Sequence, residues 1–404
     1  MSRIDNLIKQ YCPNGVEYKR FGDVLCYEQP SRYLVESTDY TKVGTPVLTA
    51  GQTFILGYTD ETNGVFKASK KNPVIIFDDF TTSNHWVDFD FKVKSSAMKM
   101  LRLYPDSTLC FKYVFYVLNS IEYTSLEHSR KWISVFANMQ IPVPPLPVQE
   151  EIVRILDSFT ELEAELEAEL EARKKQYEYY RGELLSFAKK PEILEREQSW
   201  RELWEVTIWD KKFNGVDKTM QEKVIKYPYL LADELFAMKQ SSGDVFLLST
   251  GENVGWTTEK VAGDKLCEGE IVTIPWGKSR PVVECMKYYK GKFVTADNRI
   301  ATSKDTSFLN NKYLFYWMQT NGAQIDKFYR GAGIQHPNMK SVLTMKIPIP
   351  SLKEQERIVS ILDKFDALVN DISIGLPVEI NARRKQYEYY RDKLLTFPMV
   401  GNNA

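Results

Sequence analysis

The sequence predicts an α+β protein: two mixed α/β domains, each followed by a long helical segment, with an internal repeat relating the two halves. Three observations carry this. RKKQYEYYRGELLSF at Arg173 to Phe187 returns as RRKQYEYYRDKLLTF at Arg383 to Phe397, identical at 11 of 15 positions. Ahead of each copy, IPVPPL at Ile141 to Leu146 matches IPIPSL at Ile347 to Leu352, and IVRILDSF from Ile152 matches IVSILDKF from Ile358. The stretches in front of these blocks do not match. Repeated helices that carry unlike globular segments suit a protein holding two different readers at a set separation, so a two-part target is expected.

Residues 1–147 form the first domain. Its β-type runs TPVLTAGQTFILGYT, NPVIIFDDF, WVDFDFKV and AMKMLRLYP are broken by Gly51, Gly57, Gly64 and Pro73, which predicts a curved sheet. Pro142, Pro144, Pro145 and Pro147 end it, because each lacks a backbone donor and biases its predecessor away from helix. A helical spacer follows at 148–190. From Gln149 to about Phe187 it has no proline and one glycine, Gly182, and Ile152, Ile155, Leu156, Phe159, Leu162, Leu166 and Leu170 recur at three- and four-residue spacing. At 1.5 Å per residue this helix would be roughly 57 Å long, too long for one domain to bury, so it needs a partner helix. Inside it ELEA occurs three times in tandem from Glu161 to Ala172. Four residues turn a helix by about 400°, so the leucine stripe drifts slowly and can form a seam. One ELEA more or less would change the separation of the flanking domains by about 6 Å.

The second domain, 191–350, opens with WRELWEVTIW, an echo of VEYKRFGDVL from Val16. Strands are expected in DVFLLST, EIVTIPW, RPVVECMKYY and KFVTA, and a helix from Lys312 to Gln319. The second helical spacer, 351–404, starts at Lys353 but meets Gly375 and Pro377, a break the first lacks.

Composition bounds the function. With 404 residues, 43% hydrophobic and 26% charged, the chain reads as ordinary globular protein of two or three domains. It contains no run of eighteen apolar residues and no signal-peptide pattern, so a cytoplasmic protein is expected. Five cysteines at wide spacing without a CxxC pair argue against a disulfide framework or a structural zinc site. The net charge is -1, but Gln149 to Ala172 holds nine acids against one base, which leaves +7 for the remainder. A basic body with one acidic helix is compatible with DNA binding on chosen surfaces; a solvated helix face is the plainer reading of the charge run.

Catalytic motifs are missing. An adenine methyltransferase needs a Gly-rich cofactor turn and an Asn/Asp-Pro-Pro-aromatic loop, yet Pro144-Pro145 lies between Val143 and Leu146. A phosphate-cradling loop ending in Gly277-Lys278-Ser279 would need glycine where Val272 stands. His85, His128 and His336 are isolated in sequence. No catalytic residue, metal or cofactor is expected on this chain.

Base reading needs amide and guanidinium groups on exposed turns, with basic and hydroxyl groups beside them for phosphates. In the first domain these are Gln52, then Thr81, Ser83, Asn84, His85 and Trp86 with Lys92 and Lys94, then Arg130 and Lys131. In the second they are Lys278, Ser279 and Arg280, then Asn298, Arg299 and Lys304, then Arg330, Gln335, His336 and Asn338. Any one of them has an ordinary polar turn as its alternative. The two sets share no register, so the two halves of the target should differ. The twin helix surfaces, Lys175, Gln176, Tyr177, Tyr179, Tyr180 and Arg181 against Lys385, Gln386, Tyr387, Tyr389, Tyr390 and Arg391, suit two copies of one partner, with packing between the two helices as the alternative.

The IPVPPL/IPIPSL exits, the IVRILDSF/IVSILDKF starts and the twin KQYEYYR helices resemble, over essentially the whole chain, the DNA-specificity subunit of type I restriction-modification systems. The resemblance implies two target-recognition domains, each reading one half of a split double-stranded DNA site. It implies that the repeated helices pair as an antiparallel coiled coil with a pseudo-two-fold relation and bind two modification (methyltransferase) subunits. Those would bring S-adenosylmethionine and methylate adenine, and two restriction subunits would add ATP- and Mg-dependent translocation and cleavage. The specificity subunit itself catalyses nothing. Two readings from other classes stand beside it, a coiled-coil adaptor holding two protein-binding domains and a nuclease with dispersed acids.

Overall fold

The computed structural model describes residues 2–51, 53–123, 129–186, 200–228, 230–251, 255–296, 298–370 and 374–400. The first half runs α1 (Arg3–Tyr11), β1 (Glu17–Arg20), α2 (Phe21–Val24), β2 (Leu25–Glu28), β3 (Thr45–Leu48), β4 (Ile55–Thr59), β5 (Val74–Asp78), β6 (Asn84–Val87), β7 (Lys92–Val93), β8 (Met98–Leu103), α3 (Phe111–Asn119), β9 (Gln140–Val143) and α4 (Leu146–Leu185). The second begins β10 (Trp200–Glu202), α5 (Leu203–Val206), β11 (Thr207–Trp209), α6 (Ala232–Ala237), β12 (Val245–Leu248), β13 (Gly255–Thr257), α7 (Glu259–Ala262), β14 (Cys267–Pro275), α8 (Val282–Cys285), β15 (Lys287–Thr295) and β16 (Asn298–Ser303). It ends α9 (Asn311–Thr320), α10 (Gly322–Asp326), β17 (Tyr329–Arg330), β18 (His336–Pro337), α11 (Met339–Leu343), β19 (Lys346–Pro348), α12 (Leu352–Asn370) and α13 (Leu376–Leu395). The chain divides into two units, one of residues 1–167 with 379–404 and one of 168–378, so each unit combines a globular domain with helix from both halves of the sequence.

In the first unit β1 closes the domain by pairing antiparallel with β9, Glu17 opposite Val143 and Arg20 opposite Gln140. A four-stranded sheet runs β2-β8-β5-β6, and a three-stranded sheet runs β4-β3-β7 with β3 and β7 parallel. β5 reads VIIF without alternation because both its faces are covered. Ile75 and Phe77 join the core that contains Tyr113, Trp132 and Ile152, while Val74 and Ile76 join the core of Leu48, Phe91 and Met100.

The second unit repeats the plan. β10 pairs with β19, and a six-stranded sheet runs β11-β16-β14-β15-β12-β13. Two sequence expectations are corrected. α4 begins at Leu146, not Gln149, because Pro147 occupies its first turn, where no intrahelical donor is required. RPVVEC is not strand: Val282–Cys285 is a helical turn whose leading Val282 N–H donates to Asp326 Oδ1 at 3.0 Å and whose Val282 and Cys285 are buried.

A further repeat lies in the helix before each exit strand, KYVFY from Lys112 and KYLFY from Lys312. Tyr113 and Tyr313 donate to the Pro142 and Pro348 carbonyls at 3.1 and 2.9 Å. Gln149 and Gln355 each bridge the start of that helix to the proline exit, accepting from the Cys110 and Asn310 N–H at 2.9 and 2.8 Å and donating to the Pro144 and Pro350 carbonyls at 2.6 and 2.9 Å. Tyr116 and Tyr316 donate to Asp157 and Asp363, with Lys112 and Lys312 beside the same carboxylates. Burial and the carboxylate together push both phenols far above their ordinary range, so they stay protonated donors. The four hydrogen bonds fix each globular domain to the start of its long helix. Tyr316→Phe removes a hydrogen bond to a charged group and is expected to cost about 1.5–3 kcal/mol, read as a lower melting temperature or urea midpoint.

Candidate nucleic-acid interface

In the first unit, β5 ends in a turn closed by Asp78, whose carboxylate accepts from the Phe80 and Thr81 N–H groups, both at 2.8 Å. Thr82 takes a left-handed backbone, φ 64°. Thr81 is exposed and its hydroxyl lies 3.2 Å from that of Ser83. Asp79 gathers the segment that leads to β9, its carbonyl accepting from Lys131 N–H at 2.8 Å and its Oδ1 from Trp132 N–H at 2.9 Å. Arg130, next along the chain to Lys131, is exposed on that segment. His85 stacks on Phe54 with ring centres 4.6 Å apart, and its Nε2 lies 3.1 Å from the Gly51 carbonyl, which adds the turn after β3 to the same rim. Lys94 is exposed on that rim, its N–H donating to the Leu48 carbonyl at 3.1 Å. Asn84 opens β6 beside them, and Gln52 lies outside the described residues.

Three candidates of this unit are corrected. Lys92 is 2% exposed, donating to the Asn63 carbonyl at 2.7 Å and paired with Glu61 at 2.6 Å; the hydrogen bond from Lys92 holds the Glu61 carboxyl below its usual range. Lys131 is buried and donates to Ser129 Oγ at 2.7 Å. Trp86 lies under the Lys112 ammonium at 4.4 Å and against Phe111 and Phe115, where it supports α3. The contrast between Lys92 and Lys94 is testable. Lys94→Met is expected to leave the melting temperature unchanged and to reduce the salt slope of DNA binding by about 1, whereas Lys92→Met is expected to lower the melting temperature.

In the second unit the corresponding rim is formed by the loop after β14 and the β17–β18 hairpin. Reciprocal backbone bonds of 3.0 and 2.9 Å join Lys278 to Gln335. His336 places Nδ1 2.9 Å from the Trp276 carbonyl and its ring 4.7 Å from the indole. The Arg299 guanidinium lies 5.5 Å from the Phe213 ring and 5.8 Å from the Trp276 ring. With Asn214, Asn338 and Lys340 these side chains line one open pocket. The hairpin turns through Gly331 and Gly333, at φ 133° and 89°, and exposes Arg330 and Ile334, the latter 64% accessible. Ser279 is exposed, Arg280 Nε meets Cys285 Sγ at 3.3 Å, and Asn338 caps α11 by accepting from Ser341 N–H at 3.3 Å.

Lys278 and Asn298 are corrected here. Lys278 pairs with Asp326 at 2.9 Å over the Tyr329 ring. Asn298 is 4% exposed and its amide donates to the carbonyls of Leu248 and Ala296, at 3.1 and 2.9 Å. Lys304 is exposed beyond the far end of β16 from Arg299, bonded to the Trp204 carbonyl at 2.8 Å, and does not join the rim. Phe213, Trp276 and Ile334 were not among the sequence candidates. An aromatic ring beside cations in a turn, as in PWGKSR, is the signal that marks Trp276.

The twin helix surfaces divide into two faces. In the second unit, Phe365 stacks on Tyr180 at 5.5 Å and on Tyr177 at 6.3 Å, with Arg181 over the Tyr177 ring. Burial pushes the Tyr177 phenol up to about 12. In the first unit, Phe159 stacks on Tyr390 at 5.6 Å and meets Tyr387 edge-on at 6.4 Å, with Arg391 over Tyr387. Arg384 also pairs there with Glu163 and Glu167. Tyr177, Tyr180, Arg181, Tyr387, Tyr390 and Arg391 therefore serve packing between helices. Tyr179 and Tyr389, 64% and 63% exposed, point away together with Lys175 and Lys385; Gln176 and Gln386 accept from Arg173 and Arg383.

The sequence pattern of the type I restriction modification DNA specificity domain matches residues 13–172 and again 217–382. Two copies of that domain on one chain define a two-domain specificity protein. The chain belongs to the type I restriction-modification specificity-subunit family. It is 39% identical to the EcoR124I/EcoR124II specificity subunit of Escherichia coli over 98% of both chains. To a putative type I restriction enzyme specificity subunit of Haemophilus influenzae it is 34% identical over 64% of this chain and 63% of that one. Among solved structures, the type I restriction-modification S subunit from M. genitalium shares the fold with a TM-score of 0.57 at 16% identity, covering 94% of this chain and 96% of that one. Among the described residues no helix is long and apolar enough to cross a membrane.

Proposed function

We propose that this chain reads an asymmetric, bipartite double-stranded DNA site and directs adenine methylation, and restriction where a restriction subunit is present, by partner subunits. Residues 1–147 and 191–350 act as the two target-recognition domains, and 148–190 and 351–404 as the spacers between them. The observation that supports this best is that the same rim is built twice with different chemistry. Hydroxyls, Arg130 and Lys94 stand on one; Trp276, Arg299, His336 and Arg330 stand on the other. Equal scaffolds with unlike rims favour two unlike half-sites.

The matching contacts Phe159 to Tyr390 and Phe365 to Tyr180 support an antiparallel coiled-coil spacer with a pseudo-two-fold relation. Tyr179 and Tyr389, with their lysines, are the surfaces for two modification subunits, which bring S-adenosylmethionine; two restriction subunits bring ATP and Mg. The chain itself takes no catalytic step. Co-expression with the modification subunit and mapping of methylated adenines tests this. A split, asymmetric motif that depends on this chain is the expected result. A stable, cofactor-loaded complex that methylates nothing new would instead support the adaptor, as would DNA binding insensitive to salt.

A further inference from the structure

The two recognition domains can be superimposed strand by strand from their pairing alone. β2 leaves α2 with Leu25 opposite Leu103, and β11 leaves α5 with Thr207 opposite Ser303. Counting along β8 and β16 from those pairs makes Met100 equivalent to Ile300. Met100 faces Ile76 on β5 and Ile300 faces Thr273 on β14, and these in turn face His85 and Lys287. His85 and Lys287 thus hold the same place in two domains whose sequences share no register there. Their neighbours agree, since Trp86 and Tyr288 each lie under a lysine ammonium, Lys112 and Lys312.

Both side chains do the same thing. His85 Nε2 lies 3.1 Å from the Gly51 carbonyl, and Lys287 Nζ donates to the Ser249 and Gly251 carbonyls, both at 2.6 Å. Gly51 and Gly251 stand three residues past Leu48 and Leu248, which end the equivalent strands β3 and β12 and pair in parallel with Val93 and Thr295. Each domain therefore ties its glycine turn to the sheet with a basic side chain from one equivalent position. We infer that His85 and Lys287 are positioning residues for DNA recognition: they do not read bases but fix the turn after β3 or β12 on the rim, one clasp for each half-site. This rests on the DNA-reading function proposed above.

The test uses the complete chain in complex with its modification subunits. Lys287→Met is expected to reduce DNA affinity by about tenfold and to make the methylated motif degenerate in one half-site while the other half stays intact. Lys287→Arg, which keeps the charge and the donors, is expected to restore the motif. His85→Ala is expected to blur the opposite half, and His85→Lys to restore it. Should Lys287→Met fail to fold, Lys287→Gln against Lys287→Arg carries the same comparison. An unchanged motif and affinity in Lys287→Met or Lys287→Gln, or an equal loss in both half-sites, would overturn the inference. The wild-type complex separates this from the wider reading: if it yields a split motif and the variants do not alter it, only the clasp fails.

Discussion

Arg299→Ala is expected to weaken DNA binding of the assembled complex about 30-fold and to remove discrimination in one half of the methylated motif, with a fall in melting temperature from the lost packing on Phe213 and Trp276. The guanidinium lies over both the Phe213 and Trp276 rings, and Trp276 is itself braced by His336. Two aromatic rings within about 6 Å of the planar fork restrict its rotamers, so less entropy is lost when it meets a base edge. A good bidentate contact is worth about 1–3 kcal/mol of discrimination, and 2 kcal/mol within that range is about 30-fold. Lys at this position keeps the charge but not the plane, so Arg299→Lys should recover affinity without recovering the motif. Titration of specific and unrelated duplexes at two salt concentrations, with a methylation map, distinguishes the cases. Equal weakening on every duplex with the motif unchanged would assign Arg299 to phosphate contact instead.

The architecture was legible because its signals are local and repeated. IPVPPL against IPIPSL marked where each globular segment ends, and the apolar spacing from Ile152 marked the long helix. The match of KYVFY to KYLFY was equally visible and went unread, although its tyrosines supply two of the four matched hydrogen bonds at each domain's base and its lysines the ion pair beside them. The rim was only partly legible, for a physical reason. In sequence Lys92 and Lys94 look alike and share one strand parity, but β7 ends at Val93, so Lys92 is held inward by the distant Glu61 while Lys94 lies past the strand and is exposed. Lys278 is likewise claimed by Asp326, and Asn298 by carbonyls across the sheet. The equivalence of His85 and Lys287 could not be read at all, because only the strand pairing reveals it.

Substitution of Tyr179 and Tyr389 together by alanine is expected to leave a folded chain that no longer retains its modification subunits, while either single substitution leaves one copy bound in place of two. Each ring is more than half exposed and rests edge-on against its neighbour, Tyr180 or Tyr390, at 5.5 and 5.3 Å. That neighbour is fixed from below by Phe365 or Phe159, so the exposed ring is held rigid before any partner arrives. A pre-positioned tyrosine loses little rotamer freedom on binding, and such anchors typically contribute about 2 kcal/mol or more, about 30-fold in affinity. Tyr177→Ala and Tyr387→Ala should behave differently, because those rings lie beneath an arginine within the helix packing and their loss lowers stability. Native mass spectrometry of the reconstituted complex reads the stoichiometry directly, with circular dichroism melts to verify the fold. Two modification subunits still bound to the double variant would show that the repeated tyrosines are not the docking surface.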